Sequence, residues 1–586
     1  MIIASLVDYY KHLVNLGILP EIGWAKAKIS FLINLDRNGK VIGVFDVREE
    51  ILRGKKKSFA PLLLDMPEAE TRSSGVKPRF LWDNIKYCCA LGDDKPARLI
   101  ECYNAMAHLN EIILKNVSSP AACALKKYFE APSHDEVLQF AEKGGFSKEI
   151  RTLNISFSFE GNVISEDDEV VEAWNSYYNS SKDNAQMRIC SVLGKEMPIA
   201  EKHPNFKGVY GAQSSGAYLV SFNAEPYTHY GFSRGLNCSV SEYAASAYGS
   251  CLGYLLNNSR NRIMIGDMTL VLWAYDDSVL DFMRCLISGS LDEAQLKLSD
   301  IRSALENGGS IRFGDEAVDF STRFCFLGLM PNSARLSVET FFDGEAREIV
   351  SNILQFYEDF ELDHSPRDSR EVVPLWRILW ETCNRNVKTK VPLKELTGAC
   401  LESMLFKAPY PVSLLRIMII RLMTEVDDKD KNLFQVTREK VAAVKAVLKR
   451  NFNERCAMSC LSDAKDAGYI LGRIMAVAEQ LQKYVQNGSP NVTIKDRFFN
   501  SLISRPEIFL PKLLKMCNTY LAQVRRRGEP KKGSFIFYTK ILDTLMCDLD
   551  SVPSFLDNTG KARFLLGYYH QKQDLFTSRL GDKDEN

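Results

Sequence analysis

The chain has 586 residues, 46% hydrophobic and 25% charged, the balance of a folded protein of about three or four domains with room for a large core. Its 74 basic residues are matched by 74 acidic ones; a zero formal charge argues against a uniformly basic nucleic-acid binder but leaves local patches open. No run of about 18 residues is apolar and free of charge, so no membrane-spanning helix is expected; the start, interrupted at Asp8, lacks the basic region of a signal peptide, and fifteen scattered cysteines read as reduced thiols of a cytoplasmic protein.

In chain order, residues 29–35 alternate, turn through Asn38-Gly39 and return over 41–47. Asn-Gly tolerates the positive φ of a tight hairpin, so this predicts strand, turn, strand. Residues 53–84 form a basic stretch punctuated by Gly and Pro. Helical patterns occupy 96–144, and strands are expected again at 150–164. Residues 207–216 are a small-residue loop leading into an apolar strand at 217–222. Residues 241–256 are helical, and 268–275 have the composition of a buried strand. Further strands are expected at 323–329 and 334–342.

Beyond residue 341 the 3.6-residue period takes over. Ile470, Ile474, Val477, Leu481 and Val485 fall on one helical face, and breaks are expected at 486–490 and 527–530. The fold class is therefore α+β: a mixed N-terminal α/β region with antiparallel hairpins, then an all-α helical-bundle C-terminal region. The expected divisions are 1–340, a helical linker region 341–457, and 458–586.

The motifs of nucleotide and hydrolase chemistry are missing: no P-loop, no Gly-x-Gly-x-x-Gly and no Gly-x-Ser-x-Gly. Cys88-Cys89 and Cys456/Cys460 have no second pair with zinc spacing and read as structural thiols. Ser133-His134-Asp135-Glu136 reads as a capping box. Asp276-Asp277, at a strand end, fits either a Mg²⁺ site or a helix cap with a first-turn acid, and the cap is the plainer reading. Neither a cofactor nor a resident metal is expected.

Three segments suit nucleic acid. Residues 72–84 combine basic, small and aromatic side chains; Lys77, Arg79 and Asn84 have the groups to meet phosphates or base edges, while Phe80, Leu81 and Trp82 suit anchoring in a core. The loop at 208–217 carries Gln213, Ser214 and Ser215 beside exposed amides, and a tight turn packed for steric reasons fits it equally well. Residues 495–540 hold eleven basic and three acidic residues in a chain of zero net charge. Arg525, Arg526, Arg527, Lys531 and Lys532 lie there, suited to a phosphate backbone or simply to a solvated helix face.

Several pieces in order give the chain a family likeness. They are Leu6-Val7-Asp8-Tyr9-Tyr10, residues 74–84, residues 203–224, Tyr230-Gly231, Val271-Leu272-Trp273-Ala274, residues 327–338, Leu471-Gly472-Arg473 and residues 566–571. Together they resemble the large subunit of the type I-C CRISPR surveillance complex (Cascade), over nearly the whole chain. Arg79 departs from the pattern, where relatives are expected to carry smaller or polar residues.

The resemblance implies a subunit of a crRNA-guided antiviral complex, beside a crRNA-processing subunit, repeated backbone subunits and small subunits. Such a subunit recognises the PAM in double-stranded target DNA, supports R-loop formation and recruits a separate helicase–nuclease, and is not itself an enzyme. It also implies that the C-terminal helices are made separately from an internal start, for which Met458 is the candidate. The residue roles at Lys77, Arg79, Asn84, Gln213–Ser215 and the basic segment come from chemistry and position. Two other classes stay open: a metal-dependent nuclease using Asp276 and Asp277, and an assembly scaffold without DNA contact.

Overall fold

The computed structural model describes residues 2–584 except 54–55, 70–74, 131–133, 181–185, 293, 309, 366–367, 386–390, 429–433, 487–491 and 527–531. The chain is α+β, with N-terminal strands and hairpins followed by C-terminal helices. Contacts group it into two compact units. One is residues 1–206 with 218–254; the other is 207–217 with 255–586.

In the first unit the predicted hairpin forms from Phe31–Leu35 and Val41–Asp46. Its turn is fixed by the Asp36 carboxylate, which accepts the amides of Asn38 and Lys40 at 2.8 Å each. Gly39 sits at φ +77°, and a Cβ there would lie 2.6 Å from the Tyr128 amide, so both conformation and space demand glycine. Phe31–Leu35 then pairs in parallel with Asn154–Phe159, which pairs antiparallel with Trp82–Asn84. Side chains alternate between two cores. Phe31, Ile33 and Leu35 join Tyr128 and Phe157 under the helices, while Leu32 joins Ile29, Met66 and Trp82 on the other face.

Residues 53–84 hold more strand than their composition suggests. Leu62–Pro67 pairs antiparallel with Trp24–Ile29, and Lys56–Ala60 with Glu49–Arg53. The strand expected over 217–222 shrinks to Ala217–Tyr218. Residues 219–222 are half-buried and join no ladder, so apolar composition alone did not make them strand.

In the second unit Arg262–Ile265, Met268–Ala274, Arg323–Asn332 and Arg335–Glu345 form an antiparallel ladder in that order. Met268–Ala274 is buried along its whole length, as its unbroken apolar run requires. The helices beyond share its core, which runs continuously from Ile265 to Leu575. The predicted face Ile470, Ile474, Val477, Leu481 and Val485 is buried, on a helix Ala467–Val485 whose N-cap, Asp466, accepts the amides of Gly468 and Tyr469. The helix Arg438–Phe452 is buried nearly all round, charges included. Lys440 is paired with Glu425 and Glu381, and Lys445 donates to the carbonyls of Glu358 and Glu361. All fifteen cysteines are unbridged. Among the described residues no helix is long and apolar enough to cross a membrane.

Candidate nucleic-acid interface

The loop 207–217 is held at its base and exposed at its tip. Arg262 donates through Nη1 to the carbonyls of Gly208 (2.9 Å) and Leu256 (3.2 Å). The Tyr210 amide donates to Oγ1 of Thr269 at 3.0 Å, and Thr269 is fully buried in the sheet. Two turns close the loop, from the Ala212 amide to the Val209 carbonyl and from the Gly216 amide to the Gln213 carbonyl. Gly208, Gly211 and Gly216 all have φ near +70° to +100°, a region barred to ordinary side chains. The result is a pre-ordered tip on which Gln213, Ser214 and Ser215 face outward beside Tyr210, 58% exposed. Such a tip can hydrogen-bond a phosphate or base edge without first being ordered.

Lys77, Arg79 and Asn84 belong to the other unit and play unlike parts. Lys77 is exposed, its amide donating to the Tyr87 hydroxyl at 3.4 Å. Arg79 is half-buried with its guanidinium 4.2 Å from the centre of the Trp82 ring. Asn84 is the half-buried residue where the strand Trp82–Asn84 passes into the helix Ile85–Cys89. Phe80, Leu81 and Trp82 are the anchors: Phe80 stacks on Trp174, and Trp82 donates to the Pro67 carbonyl. Of the three, only Lys77 is exposed.

The basic C-terminal segment is resolved into a helix surface. On the helix Pro506–Arg526, Lys512, Lys515, Arg525 and Arg526 are exposed, with Glu507 its one acid. Leu510, Leu513, Cys517, Leu521 and Val524 bury the opposite face. Neither Arg525 nor Arg526 has an ion-pair partner among the described residues, and both sit where the helix dipole favours cations. Lys495 leaves the patch: it is buried and donates to Asp427 at 2.7 Å. Arg527 and Lys531 lie outside the described residues, as does the side chain of Lys532.

The carboxylates a metal nuclease would use are engaged otherwise. Asp276 caps the helix Asp277–Ser288, accepting the Ser278 hydroxyl and the amides of Ser278 and Val279; the hydroxyl first, then the amides, hold its carboxyl below the usual range. Asp277 is paired with Nη1 of Arg260 at 2.6 Å. Among the described residues no cluster of three His, Cys, Asp or Glu is arranged to hold a metal. The capping box expected at Ser133-His134 falls outside the described residues.

One exposed aromatic went unassigned in the sequence reading. Tyr230, in a loop pinned by Asn237, is 97% exposed at φ +52°. The adjoining Gly231 was its signal, since a Tyr-Gly pair outside any periodic run marks a turn tip.

Compared with known families, residues 6–576 match the family described as CRISPR-associated protein (Cas_Csd1). No curated protein matches the chain.

Proposed function

Since the chain belongs to the Cas_Csd1 family of CRISPR-associated proteins, we propose that it is the non-catalytic large subunit of a type I-C Cascade complex in the cytoplasm. In this reading it recognises the PAM in duplex DNA, steadies the opened strands and presents a surface to a helicase–nuclease, while the guide RNA supplies sequence specificity. The observation that carries the reading is the family match across nearly the whole chain. Two features support it. The anchored loop with Gln213, Ser214 and Ser215 at its tip suits base-edge or phosphate contact, and the exposed face of Lys512, Lys515, Arg525 and Arg526 suits a backbone. The engagement of Asp276 and Asp277 favours a subunit that binds over one that cleaves.

The test is target binding by the reconstituted complex at fixed salt, on duplexes with intact and scrambled PAM. A complex lacking this chain is expected to lose PAM discrimination. A Lys77→Ala/Gln213→Ala variant is expected to bind both duplexes alike. Unchanged discrimination in the variant would move the PAM reader elsewhere on the chain. Unchanged discrimination without the chain would sink the reading.

A further inference from the structure

The hairpin of Arg323–Asn332 and Arg335–Glu345 runs past its neighbour. Its ladder with Met268–Ala274 ends where Thr269 pairs with Leu329, while the pairs from Met330 with Ser337 to Asn332 with Arg335 carry the hairpin on to its tip. The register leaves Ser333 and Ala334 as a two-residue turn, and Ser333 sits at φ +56°, a left-handed conformation that tight hairpin turns use. Asn332, Ser333 and Ala334 are all exposed, and the side chains of Asn332 and Ser333 have no hydrogen-bond partner among the described residues.

The turn lies against the loop 207–217. A Cβ on Gly211 would stand 3.4 Å from Cγ of Pro331, an ordinary contact distance. The loop's other tie, from the Tyr210 amide to Thr269, is made at the residue that pairs with Leu329. Turn and loop therefore share one end of the sheet, and Gln213 and Asn332 stand on elements that pack together. The charge there is one-sided. Residues 207–217, 262–268 and 327–337 hold three basic residues, Lys207, Arg262 and Arg335, and one acid, Asp267, which is buried. Lys207 is exposed with no ion pair among the described residues, and Arg262 is bound to carbonyls rather than to a carboxylate. A polar, positive surface with no exposed carboxylate in these three segments suits an anionic polymer.

From this arrangement we propose that Asn332 reads a base edge of double-stranded DNA, as a second finger beside Gln213. The inference rests on the reading of the chain as a PAM-recognising subunit and adds to it a residue, a groove and a base. The major groove admits a two-stranded ribbon, which is the form of the hairpin tip. An asparagine amide presents one donor and one acceptor side by side. That pair matches N6 and N7 of adenine; guanine offers two acceptors there, cytosine a donor and thymine an acceptor. Asn332 is thus a specificity-determining residue, while Lys207 has the charge for a neighbouring phosphate and carries no sequence information.

The test is binding by the reconstituted complex, at fixed salt, to duplexes in which each PAM base pair is changed in turn. Asn332→Ala is expected to lose at least about fivefold discrimination at one A·T pair and to keep it at the other positions. Asn332→Asp keeps the shape but turns the donor into an acceptor; it is expected to lose the same preference and to weaken binding to every duplex. Lys207→Ala is expected to weaken all duplexes alike and to flatten the salt slope by about one. Asn332 is exposed, so urea midpoints are expected to stay unchanged; should Asn332→Ala melt early, Asn332→Asp carries the test. If the wild-type complex discriminates and Gln213→Ala relaxes it while Asn332→Ala does not, this inference falls and the reading it rests on stands. Equal weakening of every duplex by Asn332→Ala puts the turn on the backbone and likewise overturns it. If the wild-type complex reads no PAM, both fall.

Discussion

Gly472 meets Phe564 backbone to backbone: a Cβ on Gly472 would stand 2.0 Å from the Phe564 carbonyl oxygen. Gly567 repeats the relationship in reverse, 2.1 Å from the Tyr469 carbonyl, and Gly468 approaches the Gly560 carbonyl at 2.5 Å. The helices Ala467–Val485 and Asn558–Asp584 thus cross at a seam that only hydrogen can fill. Alanine would gain about 1 kcal/mol of helix propensity but force the helices apart at an overpacking cost of roughly 1–3 kcal/mol or more. Gly472→Ala or Gly567→Ala is expected to lower stability in urea denaturation. Gly398→Ala, with nothing within 4 Å of its Cβ in the helix Lys394–Leu405, is the control expected to leave stability unchanged or raise it. Equal effects in all three would remove the seam as the cause.

Two buried histidines make stability fall in mild acid. Burial holds His203 at about 4, and burial, helped by the charge of Lys445, holds His570 at about 3. In the unfolded chain both titrate near 6.5. Below that pH the unfolded state takes up protons that the folded state refuses, so their contribution is complete above about 6.5 and is lost as pH falls toward the folded values. Each adds a slope of up to about 1.4 kcal/mol per pH unit. Asp368 extends the loss: burial would raise its carboxyl, but Arg370 and Arg438 outweigh it and hold it well below the usual range, so protonation below about 4 costs more stability. Urea midpoints at pH 7.5 and pH 5 are expected to differ less in His203→Gln/His570→Gln than in the wild type; an unchanged difference would assign the slope to other groups.

The elements easiest to read from sequence were those whose pattern matched their burial. The 29–47 hairpin carried its own turn chemistry, and the face Ile470 to Val485 its own period. Two features were hidden because tertiary contacts override local pattern. The helix Arg438–Phe452 has the charges of a surface helix, yet Lys440 and Lys445 are buried because Glu425, Glu381 and two carbonyls meet them. Leu62–Pro67 became strand because Trp24–Ile29 lies beside it. At the candidate interface the exposed Gln213–Ser215 tip was legible from small residues. The stacking of Arg79 on Trp82 was not, because a guanidinium that holds a fold and one that holds DNA look the same in sequence.

Met458 is 53% exposed between the helices Arg438–Phe452 and Ala467–Val485. Met458→Leu is therefore expected to leave the full chain as stable as before, within about 0.5 kcal/mol. If Met458 is the internal start, the same change removes a shorter C-terminal product on expression; its persistence would place the start elsewhere. A fragment 458–586 made alone loses the cover of Arg438–Phe452 on the helix Asn558–Asp584, and Arg563 loses Glu454 while keeping Asp466. It is expected to stay helical by circular dichroism but to self-associate as concentration rises, since the exposed face is core in the full chain.

The exposed face of Pro506–Arg526 gives the sharpest separation between a DNA contact and a solvated helix. Lys512, Lys515, Arg525 and Arg526 stand opposite the buried Leu513–Cys517–Val524 stripe, so reversing them to glutamate leaves the core untouched. Each lost phosphate contact is expected to flatten the dependence of log K on log salt by about one, and to weaken matched and PAM-scrambled duplexes alike. Lys495→Glu is the instructive contrast. Buried against Asp427, it is expected to cost about 3–5 kcal/mol of stability by leaving two carboxylates unpaired. If the Arg525→Glu/Arg526→Glu complex keeps the wild-type salt slope, the face is solvated only, and the basic excess of this segment serves assembly or solubility.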